Sequence, residues 1–360
     1  MNKLRKRFAR VPKIFTAIGY SIWKFTRGFG KTIVKLWKNP KGKVGLIGVG
    51  LLVFVALFIG IIDPNKQLIQ PAFGLDNVYQ SPSFRHLFGT DGEGKDILLV
   101  IMHGTQVSLL VGILTALGVT LLGATLGIIA GYFGKWIDTL IMRIVDVMLV
   151  IPSLPLMLLI HSMISYMGQY RFYHLILIFI ILGWAGTART IRAQVLSLKE
   201  SNFIKAAELA GASKSYVMFK HILPGVSHLL IMNTAMSSAG FMVAEAGLAF
   251  IGLSDAYAES WGKMITSAQS GFTYGAWWAI VAPGLAIFCA VMAFMQLGLA
   301  LEGIWNPRMG NSEKVFKLFK RLDPNYIGNV FDAMDIEGDE VPSGMTVKVE
   351  AKGGGKNGKR

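Results

Sequence analysis

The stretch 201-SNFIKAAELAGASKSYVMFKHILP-224 lies between two long apolar blocks of the chain. It is polar, rich in alanine and interrupted by Gly211. We predict short helices over residues 201–210 and 213–221, joined by a turn at Gly211. Pro224 then suits the first turn of the next long helix. A membrane protein has little use for such a helix–turn–helix between two spans unless another protein docks there, so the stretch predicts a docking site.

The composition places the chain among the polytopic membrane proteins. Of its 360 residues 53% are hydrophobic and 16% are charged, whereas a soluble domain carries about 25% charged residues. The net charge is +15, and residues 1–43 contain many Lys and Arg but no Asp or Glu. A basic segment beside a span stays in the cytoplasm and is attracted to anionic lipid. We therefore expect a cytoplasmic arm that faces the lipid bilayer rather than nucleic acid.

Six apolar blocks are long enough to cross a membrane as helices, which predicts an all-α polytopic fold with six transmembrane helices. The predicted spans are residues 44–62, 104–132, 139–165, 173–186 (or continuing toward 192), 224–253 and 277–304. The resulting organisation is a basic arm (1–43), a first span with an external segment (44–103), a transmembrane core that contains the 201–224 loop (104–305), and a tail (306–360) that we expect to be largely disordered at its end.

The loop charges predict the orientation of these spans. Lys and Arg dominate residues 189–221 and supply the charge near residue 135, whereas Asp and Glu outnumber them in 63–103 and 254–276. The positive-inside rule then places both termini and the 201–224 loop in the cytoplasm.

Glycines and charges within the spans are candidates for helix packing and gating. Gly123, Gly127 and Gly131 recur every four residues, which leaves one helix face bare and lets another helix approach closely. We favour packing within the chain over dimerisation as their role. Arg143 and Asp146 are three residues apart and can neutralise each other on one helix, as a structural pair or, less favoured, along a substrate path.

Two prolines and a carboxylate complete the candidates within the spans. Pro152 and Pro155 predict a kink in the third span, which either lines a gate or only packs around a neighbour. Glu245 is a carboxylate in an apolar span and hence a functional candidate, although we expect it to lie near a membrane interface. The six histidines are scattered and Cys289 is the one cysteine, so we predict no catalytic, metal or cofactor site.

Four groups of segments resemble, in the same order, the permease subunits of the peptide/nickel class of ABC importers, of the OppC/DppC type. Lys205 stands where this family usually has Glu in its EAA loop, and Gln106 and Lys95 stand where it usually has Arg. The matching segments are 88–96 (FGTDGEGKD) with 104–112 (GTQVSLLVG), 138–155, 205–224, and 245–253 (EAGLAFIGL) with 260–262 (SWG), 282–287 (APGLAI) and 306–308 (NPR).

The resemblance implies a type I ABC importer permease fold in the inner (cell) membrane. It implies four kinds of partner: a homologous second permease subunit, two ATPase subunits that bind ATP and Mg²⁺, an extracellular substrate-binding protein, and the bilayer. This chain would not hydrolyse ATP itself. ATP-driven closure of the ATPases would move the 201–224 loop as a rigid body. The residues implied in coupling are Lys205, Ala206, Ala207, Glu208, Ala210, Gly211, Ala212 and Pro224.

The resemblance favours an oligopeptide as substrate, followed by an oligosaccharide. Two other functions stay open from the sequence. An ion-coupled secondary transporter would need broken helices and ionisable residues at mid-membrane in paired halves, and it leaves the 201–224 loop unexplained. A membrane assembly protein without a transport role is the second alternative.

Overall fold

The computed structural model describes residues 30, 32–71, 77–166, 172–253, 255 and 258–305, and this part of the chain is helical and without a β-strand. The arm up to residue 29 and the tail 306–360 lie outside it, so the expectations for them stay predictions. Residues 32–38 are helical, and the helices that follow them are α1 Pro40–Ile62, α2 Ile97–Phe133, α3 Lys135–Val150, α4 Ser153–Tyr166, α5 Phe172–Lys199, α6 Asn202–Leu209, α7 Lys214–Val217, α8 Leu223–Phe250, α9 Trp261–Thr273 and α10 Trp278–Trp305.

Five helical stretches in the described residues are long and apolar enough to cross a membrane unbroken. They are α1, α2, α5, the continuous stretch Lys214–Phe250 that contains α7 and α8, and α10. The pair α3 and α4 passes the same test only when taken together. The predicted all-α membrane fold is therefore confirmed, with five helical stretches of spanning length in the described residues, or six where the bent pair α3 and α4 counts as one span.

The third predicted span, 139–165, is not one kinked helix but two helices that meet at 84°. Ile151 has φ −66° and ψ 126°, the extended conformation that a following proline favours. Pro152 thus ends α3. Pro155 lies in the first turn of α4, where its missing N–H removes no helical hydrogen bond.

Two other spans start or end elsewhere than the sequence predicted. α2 begins at Ile97 rather than at residue 104, because the Asp96 side chain accepts hydrogen bonds from the backbone N–H groups of Leu98 (2.9 Å) and Leu99 (3.3 Å) and caps the helix there. α5 runs on to Lys199, well past the predicted end. Its last turns are helical despite their polar sequence because one face remains buried in the core of the chain.

Helix α9 was not predicted and lies in the segment 254–276 that we expected to be an external loop. It begins at Trp261 and is capped by Ser260, whose hydroxyl accepts a hydrogen bond from the N–H of Lys263 at 3.2 Å. Trp261, Met264 and Ala268 form its buried face, the spacing of an amphipathic helix. It is too short to cross a membrane, so its apolar residues pack on the bundle instead.

The bare glycine face of α2 packs against α5. A methyl group built on Gly127 would lie 2.6 Å from the carbonyl oxygen of Ala188, and one on Gly123 would lie 2.8 Å from that of Trp184. On Gly131 it would lie 2.9 Å from the side chain of Val195. These distances are too short for any real side chain, so the three glycines allow two backbones to touch within the chain.

We expect Gly127→Leu to prevent close packing of α2 on α5 and to lower the midpoint temperature of unfolding of the detergent-solubilised protein. The added side chain meets backbone atoms that cannot move aside, and overpacking of this kind costs about 1–3 kcal/mol. The control is Gly50→Ala, where an added methyl group meets nothing within 4 Å. Equal midpoints for Gly127→Leu and the parent, measured by thermal size-exclusion chromatography, would contradict this packing.

Candidate functional site

The 201–224 loop folds as a helical hairpin that leads into a span. α6 ends at Leu209 with Ala210 as its C-cap, and Gly211 follows with φ +82°. This left-handed conformation is easy for glycine and strained for other residues. The Ser213 hydroxyl then accepts a hydrogen bond from the N–H of Tyr216 at 3.3 Å and caps α7. The predicted helix–turn–helix is present, with its turn at the expected glycine.

The second helix of the hairpin does not end before the span, as we expected, but runs into it. One π-helical turn, Met218–Ile222, joins α7 to α8, and the N–H of Leu223 bonds to the carbonyl of Met218. A π turn is wider than an α turn, and it lies directly before Pro224, whose ring would crowd a regular helix. The loop and the fifth span are therefore one continuous rod.

Three apolar side chains anchor the loop to the rest of the bundle. Ile204 of α6, Val217 of α7 and Ile222 of the π turn are fully buried. They belong to one cluster with Val195 of α5 and Tyr132 of α2. Burial of each such side chain contributes about 1.5–3 kcal/mol. The loop is thus fixed to the ends of three spans and does not hang free.

Polar contacts add to this anchor. The Lys199 ammonium donates a hydrogen bond to the backbone carbonyl of Tyr132 at 2.9 Å. The Tyr132 hydroxyl donates to Oε1 of Glu208 at 3.2 Å. Glu208, which the sequence placed among the coupling residues, therefore also ties α6 to the end of α2.

Lys205, at the position of the usual family Glu, forms an ion pair with Glu200. Its Nζ lies 2.8 Å from Oε2 of Glu200, and both side chains are exposed. The hydrogen bond from Lys205 and the charge of its ammonium hold the pKa of Glu200 below its usual range. Exposed ion pairs contribute little to stability, so the pair shapes the charge of this surface more than the fold.

The outward surface of α6 and the turn after it combines small residues, the charged Lys205 and Glu208, and two large apolar residues. Ala206 and Ala210 are exposed, Ala207 is half-buried, and half-buried Ala212 packs on the anchoring cluster. Leu209 is 90% exposed. It lies five positions after buried Ile204 and hence about 140° around the helix. The sequence alone could not tell which of these two faces is buried and which is exposed. Further exposed aromatic rings of the loop are Phe203, Tyr216 and Phe219.

Charged residues of α3 pair with α5 rather than with each other. The Arg192 guanidinium forms two hydrogen bonds to the Asp138 carboxylate, one of them 2.6 Å long. Arg189 pairs with Asp146, and both of these side chains are about half exposed. Asp146 is thus not neutralised by Arg143, whose position on α3 is exposed. The short sequence spacing suggested the wrong partner because the facing helix supplies a closer cation.

Glu245 is buried on α8, with 5% of its surface exposed. The hydroxyl of Ser260 donates a hydrogen bond to its Oε1 at 2.6 Å. That Glu245 lies near a membrane interface stays a prediction; helix α9, which was not predicted, covers its side chain. In the described part of the chain, no group of three or more His, Cys, Asp or Glu side chains is arranged to hold a metal ion.

Comparisons with known proteins agree with this geometry. The family model described as "binding-protein-dependent transport system inner membrane component" matches residues 123–311. The chain is 35% identical over 277 residues to the dipeptide transport system permease protein DppC of Alkalihalophilus pseudofirmus, with 76% of this chain and 88% of that protein covered. It is 30% identical over 293 residues to a candidate peptide permease of Brucella suis, with 81% and 95% covered.

The family resemblance noted in the sequence is therefore confirmed, and so is the expected inner-membrane location. These matches favour binding-protein-dependent transport over an ion-coupled transporter or a membrane assembly protein. The matched region begins at Gly123, on the glycine face of α2, and contains the entire 201–224 loop. The chain belongs to the family of inner membrane components of binding-protein-dependent transport systems.

Proposed function

We propose that this chain is one of two permease subunits of an ATP-driven importer of short peptides. In this role it forms half of the translocation path, and its 201–224 loop receives the force of ATP hydrolysis. The observation that carries the proposal is a loop that is buried on one side against three spans, while its other side exposes Leu209 and Phe203 together with charged side chains such as Lys205. Peptide is the substrate class because the relatives reported above are named as dipeptide or peptide permeases; no such name supports the oligosaccharide considered from the sequence.

The exposed ion pair Arg189–Asp146 supports a homologous second permease subunit. Charged side chains within membrane spans face the interior of a bundle or a water-filled cavity. Both members of this pair are about half exposed in the single chain. A neighbouring subunit, with a water-filled path between the two, would shelter them from lipid. Arg143 lies on the same helix and is a further candidate for this face.

The anchored loop explains how an ATPase could drive the spans. Two ATPase subunits that bind ATP and Mg²⁺ would dock on the cytoplasmic side, where the loop charges place residues 201–224. Their closure would push α6, and the buried cluster would carry this displacement to α2, α5 and α8 as one body. Rigid-body movement of this kind switches a path between two open states. A separate extracellular binding protein would deliver the peptide to the opposite side.

The proposal is tested by co-expressing the chain with the second permease and both ATPases and reconstituting the complex in proteoliposomes. We expect the four chains to co-purify and to take up a labelled dipeptide only when ATP and the binding protein are supplied. A labelled oligosaccharide is the specificity control. Uptake driven by an ion gradient without ATP, or purification without any ATPase, would overturn the proposal.

We expect Gly211→Val to uncouple ATP hydrolysis from peptide uptake, whereas Gly211→Asn retains most of the coupling. Nothing lies within 4 Å of a methyl group built at this position, so only the backbone conformation at φ +82° opposes a side chain. That conformation costs an L-residue roughly 1–2 kcal/mol, and asparagine tolerates it better than valine does. The measurement is peptide uptake per ATP hydrolysed. Equal coupling ratios for both variants would show that the turn geometry does not matter.

We expect Leu209→Asp to weaken assembly of the ATPases with the permease, whereas Leu209→Met assembles normally. Leu209 is 90% exposed in the described part of the chain. Docking would bury this side chain, and burying a charge without a partner is costly. The measurement is the amount of ATPase retained on the affinity-purified permease. Normal retention with Leu209→Asp would remove this residue from the docking surface.

A further inference from the structure

The continuous stretch Lys214–Phe250 connects the 201–224 loop to the opposite end of the bundle, which we call the far end. At about 1.5 Å per residue, this 37-residue stretch is about 55 Å long. Its first turn lies in the loop, and its last two turns contain Glu245 and Ala249. If the stretch moves as one body, a tilt or shift imposed on the loop also appears at the far end.

Glu245 links this rod to α9 through a buried hydrogen bond. Its Oε1 accepts a hydrogen bond from the Ser260 hydroxyl at 2.6 Å, and both residues are at most 5% exposed. Ser260 is also the residue that caps α9. The carboxylate thus holds the first turn of α9, and a buried group of this kind is costly to leave without its partner.

α9 also contacts α2 next to this bond. The backbone N–H of Trp261 donates a hydrogen bond to the Ser108 hydroxyl at 3.2 Å. The indole Nε1–H of Trp261 donates a second one to the carbonyl of Ile101 at 3.0 Å. Trp261 is fully buried. Ser260 and Trp261 therefore lie where α8, α9 and α2 meet.

The backbones of α8 and α9 are in close contact at the same place. A methyl group built on Gly262 would lie 2.6 Å from the Cα of Ala246. One turn further on, the Thr266 hydroxyl donates to the carbonyl of Ala249 at 2.8 Å. α9 cannot slide along α8 without breaking these contacts, so it moves with the far end of the rod.

The outer part of α9 forms a wall of a polar cavity of about 480 Å³. Met264, Ser267 and Ser270 of α9 contribute to this wall, opposite Tyr79. The Tyr79 hydroxyl lies 3.0 Å from the Ser270 hydroxyl and bridges the two sides. A displacement of α9 therefore changes the shape of this cavity and the distance between the Tyr79 and Ser270 hydroxyls.

We propose that Glu245 is a positioning residue for transport, which latches α9 to the far end of the α7–α8 rod. Movement of the 201–224 loop then displaces α9 and reshapes the polar cavity at the opposite end of the molecule. The inference rests on the proposed function of the loop. It assigns to Glu245 a mechanical role through Ser260 and no contact with the transported substrate.

The test measures the position of α9 in the assembled four-subunit importer. Cys289 is replaced by Ser, and Gln269→Cys introduces a single label site on α9, at an exposed position that does not line the cavity. The rate of labelling with a membrane-impermeant maleimide is compared between the nucleotide-free complex and the complex trapped with ATP and vanadate. We expect the two rates to differ in the parent and to become equal in Glu245→Leu.

Glu245→Gln should retain the difference in rates, because the amide oxygen can still accept the bond from Ser260. We expect peptide uptake to fall about tenfold in Glu245→Leu, the change in population that about 1.4 kcal/mol produces, while ATP hydrolysis continues. Ser260→Ala should reproduce the effect, and combining both substitutions should add little, because they remove the same bond. Thr273→Ala, at an exposed position near the end of α9, is the matched control and should behave as the parent.

Three outcomes would overturn the latch. The first is a parent that transports but labels equally in both states. The second is a Glu245→Leu complex that keeps both the difference in rates and full uptake. The third is failure of both Glu245→Leu and Ser260→Ala to assemble, which would assign this bond to folding alone. A parent complex without ATP-dependent uptake would instead contradict the proposed function of the chain.

Discussion

α2 and α5 touch backbone to backbone along the bare face of Gly123, Gly127 and Gly131, and this contact organises the rest of the bundle. Its last glycine, Gly131, packs on Val195, and Val195 is already part of the cluster that buries Ile204. The close packing of two spans thus continues directly into the anchor of the 201–224 loop. If larger residues stood in place of these glycines, α2 and α5 would be further apart, and their ends could not hold the loop between them.

The anchored loop and the continuous helix that contains α7 and α8 connect one end of the described bundle to the other. The hydrophobic cluster supplies stiffness, because a closely packed interior transmits displacement rather than absorbing it. The π turn before Pro224 lets the helix continue through a residue that would otherwise break it. Glu245 and Ser260 then provide a directional connection at the far end, where nonspecific apolar packing would allow sliding.

Much of the architecture follows from local patterns. The bilayer requires long apolar helices, so the spans of this chain are evident from length and hydropathy alone, and Gly211 marks the turn of the hairpin by its backbone freedom. The residues at which helices begin, and how far the helices extend, were harder to predict. The start of α2 depends on Asp96 and the length of α5 on buried Val195, and α9 lacks the apolar run that identifies a span, although Ser260 and the spacing of Trp261, Met264 and Ala268 signal it.

Sequence patterns alone are enough to identify the class of protein, the six apolar blocks, the helical hairpin between the fourth and fifth of them, and the glycine face that needs a neighbour. Each of these features is encoded by residues close together in the chain. The pairing of Asp146 with Arg189, the covering of Glu245 by α9 and the outward position of Leu209 become visible only in the folded molecule. Each of these depends on which distant helices become neighbours, and short-range spacing contains no information about that choice.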